Sequence, residues 1–412
     1  MPGLKTEPDM KRSFMQTPDD FVSLGIEAGL AEKLPERGIK KPSEIQKQVI
    51  PLILEGKDLF FSSATGTGKT FAYLLPILQR LNGNKPSALL LAPTYELCAQ
   101  IKNETDFLLK TNSVPPSPHS SILLIGSGNI SRQIDSLKKN RPEVIAGNPG
   151  RVLLLAKMKK LSLKALSFLV LDEADRLVSD ESLEETRELL ELIGRETGVP
   201  PPAAGARPVY ISCSATITDK CRQRLLPFFR PDHAVVSLSN EDVLRERIEH
   251  WAFFAERRHK ISSLRSFLAA VKPGKALVFS GGAGQPGNVV SQLQYHHINA
   301  LPLFAGMDKK SRKTAIDGFR GGKVDVLVSS DLACRGLDIN GVTHIIALDC
   351  PGEDLVYIHR AGRTARAGRR GIMVTIGDEQ EMNALARLEK RLGITVYPKI
   401  LFRGKVAVAD GT

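Results

Sequence analysis

Ser63-Ala64-Thr65-Gly66-Thr67-Gly68-Lys69-Thr70 is the stretch that decides the fold. An apolar run at residues 58–63 leads into it and a helical pattern leaves it. That strand–loop–helix setting is what a phosphate-binding loop requires. Its glycines let backbone N–H groups approach phosphate oxygens, and the N-terminus of the following helix adds partial positive charge. Lys69 is placed to hold the β- and γ-phosphates and the Thr70 hydroxyl to bind Mg²⁺, with Ser63, Ala64, Thr65, Gly66, Thr67 and Gly68 forming the cradle.

Outward from this loop, short apolar runs at residues 58–63, 88–92, 121–126, 143–146, 168–171 and 209–213 alternate with helical spacing at 94–110, 150–157 and 183–194. Runs that are apolar at every position and separated by helices predict parallel strands covered on both faces. The pattern restarts at 251–254, 276–279, 300–304, 324–328, 344–348 and 372–376. Between the two sets, residues 239–247 are polar and charged. The expected organisation is two similar α/β domains, residues 1–238 and 249–412, joined by a linker at 239–248. Two proline-rich stretches, 114–118 and 199–208, read as surface loops.

Composition limits the function classes. The chain has 412 residues, 42% of them hydrophobic and 25% charged, the balance of a globular protein of two or three domains. No run approaches the roughly 20 apolar residues that span a bilayer. Residues 1–9 lack the apolar centre of a secretory signal. The formal charge is +12. The first 240 residues hold 31 basic and 27 acidic groups, the rest 26 and 18. Such a basic excess suits a polyanionic partner such as nucleic acid. The five cysteines, Cys98, Cys213, Cys221, Cys334 and Cys350, are odd in number and never spaced C-x-x-C. They read as reduced thiols, not as a disulfide framework or zinc site.

A second chemical signal follows the run at 168–171, which leads straight into Asp172-Glu173-Ala174-Asp175. A buried strand ending in adjacent carboxylates beside a phosphate loop suits a Mg²⁺-holding aspartate, Asp172, and a base for an attacking water, Glu173. Together the two signals describe a nucleoside triphosphatase.

The ordered set of motifs narrows this further. Phe21 and Pro42-Ser43-Glu44-Ile45-Gln46 precede the loop; Pro93-Thr94-Tyr95-Glu96-Leu97, Gly126-Ser127-Gly128, Asn148-Pro149-Gly150-Arg151, Asp172-Glu173-Ala174-Asp175 and Ser214-Ala215-Thr216 follow it. The second half carries Val278-Phe279-Ser280-Gly281, Ser330-Asp331, Arg335-Gly336-Leu337-Asp338 and His359-Arg360-Ala361-Gly362-Arg363-Thr364-Ala365-Arg366. From about Phe21 to about Leu392 this resembles the DEAD-box RNA helicases of superfamily 2.

The resemblance implies two RecA-like parallel-sheet domains with an ATP and RNA cleft between them. It implies that Gln46 reads the adenine edge, that Phe21 packs near the base, and that Gly336 and Asp338 reach the ribose and phosphates. Arg363 and Arg366 match arginine fingers, and His359, Asp175, Ser214 and Thr216 match residues that couple ATP to RNA. Pro93, Thr94, Gly128, Pro149, Gly150 and Arg151 match positions that grip the RNA backbone. Three-residue steps from Arg360 to Arg363 to Arg366 predict one helical face for all three. The implied enzyme is a cytoplasmic monomer using ATP and Mg²⁺ on RNA.

Some positions depart from the family pattern. Tyr95 stands for an arginine, Ser127 for a glycine, Asn148 for a threonine and Lys309 for a glutamine, with Ser43 and Ser330 each standing for a threonine. These lie on the RNA side or in supporting positions, whereas the ATP-hydrolysing residues are intact. Two other readings stay open at this point: an RNA clamp with weak turnover, and a DNA-directed motor of the same superfamily.

Overall fold

The computed structural model describes residues 20–409 apart from 65, 82, 84–85, 111–119, 199–206, 239–240, 282–283, 305, 335–338, 340 and 366–368. Thr65, Gly336, Asp338 and Arg366 therefore lie outside the described residues, as do the first proline-rich stretch and most of the second.

Two α/β units follow one another. The first sheet contains β1 (Leu59–Ser62), β2 (Ala88–Leu91), β3 (Ser121–Leu124), β4 (Val144–Gly147), β5 (Phe168–Asp172), β6 (Val209–Ser214) and β7 (Ala234–Ser237). Its order is β3-β4-β2-β5-β6-β1-β7, and every pairing is parallel. The central strands are buried along their whole length, so they have two dry faces. Leu59, Phe61 and Leu90 pack with Ile45, Ala72 and Ile101 from helices on one face. Phe60, Leu89 and Leu91 pack with Val152 and Leu189 on the other.

The second sheet contains β8 (Ile248–Phe254), β9 (Ala276–Phe279), β10 (Ala300–Leu303), β11 (Val326–Ser329), β12 (His344–Ala347), β13 (Gly371–Gly377), β14 (Val396–Phe402) and β15 (Lys405–Val408). Its order is β10-β11-β9-β12-β13-β8-β14-β15. All pairs are parallel except the closing β14–β15 hairpin. Helices again cover both faces, with Tyr357, Phe319 and Leu385 on one side and Leu264, Phe267 and Val289 on the other.

The structure adds three strands to the twelve apolar runs. β7, β14 and β15 lie at sheet edges and are only half-buried, so their sequences are not continuously apolar. The expected linker also holds more order than its polarity suggests: residues Glu241–Glu246 form a helix and β8 starts at Ile248. Leu244 and Ile248 are buried in the second core, which explains why the segment is structured. Of the five thiols, four are buried and Cys350 is half-buried; none is bonded to another.

At the N-terminal edge of the first sheet, Asp58 is fully buried and pairs with Arg207, whose side chain is also buried. Its oxygens accept the backbone N–H groups of Tyr210 (3.0 Å) and Arg230 (2.8 Å). Removing one partner strands a buried charge, at about 3–5 kcal/mol. Asp58→Ala is therefore expected to lower unfolding stability by about that amount. Arg187→Ala, which breaks the exposed Arg187–Glu191 pair, should cost about 1 kcal/mol or less. Denaturant titration of both variants checks the contrast; equal losses would contradict it.

Candidate active site

The parallel sheet brings the C-terminal ends of β1, β5 and β6 together, since Ser62 lies opposite Ser214 and Asp172 opposite Cys213. Ligands of open parallel sheets bind at this edge. The loop after β1 is held by its own side chains. Thr67 Oγ1 lies 2.6 Å from Ser63 Oγ and donates to the Ala64 carbonyl (2.8 Å). Lys69 Nζ donates to the Ser63 and Ala64 carbonyls at 2.6 and 2.9 Å. The loop ends on Gly68 at φ +94°, where a Cβ would stand 2.5 Å from Gln46 Nε2. Gln46 itself accepts the Ser43 N–H (2.9 Å) and donates to the Gly68 carbonyl (3.1 Å). Its helix and the loop are thus one unit.

β5 delivers the carboxylates. Asp172 accepts hydrogen bonds from Tyr73 Oη (2.9 Å), Cys213 Sγ (3.2 Å) and the Glu173 N–H (2.9 Å). Burial raises its pKa, and the Tyr73 and Cys213 hydrogen bonds and the Lys69 charge oppose that rise. The chain turns at Glu173, which has φ +52°, and this turn sends its side chain into the cleft. Glu173 Oε2 is buried without a hydrogen-bond partner. Burial raises the Glu173 pKa, and Arg363 is the largest opposing influence. Asp175 is raised by burial too, and accepts a 2.5 Å hydrogen bond from Ser214 Oγ. Ser214 Oγ also accepts the Thr216 N–H at 3.4 Å.

One cavity of about 500 Å³ gathers Gly66, Thr67, Gly68, Lys69 and Thr70 with Asp172 and Glu173, with Gln46 and Ser214, and with His359 and Arg363 from the second unit. Ser63, Ala64, Asp175 and Thr216 stand behind this surface as supports. His359 is pushed down to about 3 by burial and by the Arg363, Arg176 and Lys69 charges, so it is a neutral ring at pH 7. Arg360 and Arg363 do not share a face as their spacing predicts. The helix ends at Ala361. Arg360 turns inward onto Asp331 (2.7 Å, twice) and Asp349 (3.1 Å, twice), while Arg363 lines the cavity.

Phe21 lies in the first core with 4% exposure and is not among the cavity residues. That wall comes instead from residues 37–41, Leu97 and Gln100. Thr94 caps the helix Tyr95–Leu109 through the Leu97 N–H (3.3 Å). Arg151 is spent on its own unit: it donates to the carbonyls of Gly126 (2.7 Å) and Gly128 (3.1 Å) and to Gln133 Oε1 (3.0 Å). Close packing fixes two glycines, since a Cβ on Gly128 would meet Gln133 at 2.2 Å and one on Gly150 would meet Glu185 at 2.6 Å. Pro149 opens the helix Pro149–Lys157. Tyr95 is 52% exposed.

Sequence reasoning missed Tyr73 and Cys213, which hold Asp172, and the pair Arg312–Glu96, which joins the two units at 2.5 Å. Tyr73 follows Lys69 by four residues, one helical turn, and that spacing was a usable signal. Nothing in the sequence alone pairs Glu96 with Arg312.

Residues 43–224 match the DEAD/DEAH box helicase family, and residues 259–368 match the helicase conserved C-terminal domain. The chain is 34% identical over 377 residues to the DEAD-box ATP-dependent RNA helicase CshC of Bacillus cereus, covering 91% of this chain and 92% of that one. It is 32% identical to the probable ATP-dependent RNA helicase YfmL of Bacillus subtilis, covering 90% and 93%. Among solved structures it is similar to S. cerevisiae Dbp5 bound to RNA and ADP BeF3, at 26% identity and a TM-score of 0.77, covering 92% and 96%.

Gly68→Ala tests the packing of the loop. A Cβ there meets Gln46 and must adopt a positive φ, a strain of about 1–3 kcal/mol. Nucleotide affinity, read by titration of a fluorescent ATP analogue, is expected to fall about tenfold or more. Unchanged affinity would contradict the close contact.

Proposed function

The chain belongs to the DEAD-box helicases and is an ATP-dependent RNA helicase, and we propose that it closes its two domains over ATP and RNA to unwind short duplexes or remodel RNA–protein complexes. The observation that carries this reading is the shared cavity: the phosphate loop and the Asp172–Glu173 carboxylates face His359 and Arg363 of the other domain. The working division is residues 1–238 and 249–412, with 239–248 as the linker.

ATP is the substrate. Gln46 recognises the base, residues 63–70 cradle the phosphates, and Lys69 neutralises their charge. Gly336 and Asp338 approach the ribose from the second domain. The site suits Mg²⁺ held through phosphates: Thr70 and Asp172 line one cavity, and no cluster of three or more His, Cys, Asp or Glu able to hold a metal occurs among the described residues. Magnesium typically takes one or two carboxylates and fills its shell with phosphate and water. When bound it supplies charge neutralisation at the phosphates.

Glu173 takes the proton of the attacking water. Its buried, unpartnered Oε2 and raised pKa suit a base. Arg363, with Arg366, stabilises the transferring phosphoryl group, a role that contributes about 10³–10⁵ in rate. His359, Asp175, Ser214 and Thr216 link this chemistry to RNA occupancy. The Ser214–Asp175 bond ties the end of β6 to the carboxylate loop.

RNA lies across Pro93, Thr94, Gly128, Pro149 and Gly150, whose backbone groups and helix N-termini suit phosphates. Arg151 positions the Gly126–Gly128 turn that carries part of that surface. Such contacts hold the strand without reading its sequence. No helix among the described residues is long and apolar enough to cross a membrane. Five free cysteines suit a reducing compartment such as the cytoplasm, and the enzyme acts as a monomer because both halves of its site lie in one chain.

Two measurements test these roles. Glu173→Gln is expected to keep ATP binding while RNA-stimulated hydrolysis falls by about 10²–10⁴. Arg363→Ala should cut that hydrolysis by about 10³-fold and leave ATP affinity without RNA unchanged. Wild-type turnover in either variant would remove the assigned role.

A further inference from the structure

A second concave site lies away from the nucleotide cavity. It measures about 250 Å³ and is lined by Arg245, Arg247 and Arg370 with Gly393, Thr395 and Tyr397. These residues sit at the starts of three adjacent parallel strands: β8 opens at Ile248, β13 at Gly371 and β14 at Val396. The site is a built feature. Arg245 Nη2 donates to the Leu392 carbonyl at 3.3 Å. Its guanidinium lies over Gly393 at φ +59°, where a Cβ would stand 2.3 Å from it. The Arg247 carbonyl accepts the Gly371 N–H at 2.9 Å. Two carboxylates, Glu246 and Glu249, also line the site. Glu249 is engaged by the Trp251 indole N–H at 3.2 Å. His250 forms part of the wall, with its ring bonded to the Leu244 carbonyl (2.9 Å) and Tyr357 Oη (2.8 Å).

An aromatic strip starts at the lip of this pocket. Tyr397, 47% exposed, lies directly across from Trp251 on the neighbouring strand. Lys399 Nζ sits 5.5 Å from the Trp251 ring and 5.6 Å from the Tyr397 ring. Further along, Arg403 lies 5.2 Å from the ring of Phe402, which is 57% exposed. Residues 396–409 contain Lys399, Arg403 and Lys405 and no carboxylate. Exposed aromatic rings interleaved with cations, running from an arginine pocket, are the elements of a single-strand platform: phosphates take the cations and bases stack on the rings.

We propose that this edge of the second domain is an additional contact for single-stranded RNA, with a phosphate in the Arg245–Arg247–Arg370 pocket and bases on Tyr397 and Trp251. The inference rests on the reading of the chain as an RNA helicase and adds to it a tether for strand that extends beyond the cleft. A tether raises the effective concentration of long RNA at the cleft and leaves short RNA unaffected.

The test compares single strands of about eight and about thirty nucleotides, with a non-hydrolysable ATP analogue, for the full chain and Arg247→Glu/Arg370→Glu. Both arginines are exposed, so the fold is expected to survive. The variant should bind the long strand about tenfold more weakly, and its salt slope should flatten by about 1.4 for two lost phosphate contacts. Its affinity for the short strand and its ATPase at saturating short strand should match wild type. Tyr397→Ser/Lys399→Ser reads the stacking half separately and should also weaken only long-strand binding. Ultraviolet crosslinking of the long strand should label the peptide 396–403 in wild type. Variants that bind both lengths as wild type does would overturn the proposal and leave the pocket to an acidic peptide. Equal loss for both lengths would also overturn it. Failure of the wild-type chain to bind either strand would instead overturn the helicase reading itself.

Discussion

Three carboxylates, Asp172, Glu173 and Asp175, are packed into four residues at the buried end of β5, and each has its pKa raised by burial. Desolvating like charges this close costs energy unless opposite charge stands beside them. Lys69 supplies it to Asp172 from the same domain, whereas Arg363 supplies it to Glu173 from the other domain. The ionised form of Glu173 therefore depends on the meeting of the domains. This couples the protonation state of the base to the geometry of the cleft, so closure prepares the base and the phosphoryl-stabilising arginine together.

The surrounding structure keeps those few groups in place. Tyr73 and Cys213 occupy Asp172 from two different elements, so the carboxylate has one available orientation. Arg360 is locked between Asp331 and Asp349 and lies 5.1 Å from the Phe279 ring, and the Arg363 N–H donates to the Arg360 carbonyl at 3.0 Å. The turn that carries Arg363 thus hangs from a buried charge network. Arg312 meets Glu96 where the helix Tyr95–Leu109 begins and also donates to the Ala333 carbonyl at 3.0 Å. That contact ties the second domain to the helix that Thr94 caps, next to the face proposed for RNA.

Much of this was legible in the sequence because the central strands are dry on both faces and write themselves as unbroken apolar runs. The phosphate loop was legible because glycines and Lys69-Thr70 sit between such a run and a helix. Edge strands were not: β7, β14 and β15 alternate half-buried and exposed positions and resemble loops. Side-chain direction was also hidden. Arg360 and Arg363 stand three residues apart, yet the helix end at Ala361 separates them, one into the core and one into the cleft. Arg151 illustrates the same limit, since its motif suggests a grip on RNA while its guanidinium holds two carbonyls of its own domain. Phe21 gave its position in sequence but not its depth in the core.

The claim that the active site is shared between domains is tested most directly by cutting the chain. Residues 1–238 and 239–412, expressed separately, are assayed for ATP hydrolysis with saturating RNA, beside the intact chain. The first half should bind ATP through Gln46 and the phosphate loop yet hydrolyse it about 10³-fold more slowly or worse, because Arg363 is missing. Near-full hydrolysis by the first half alone would contradict the account.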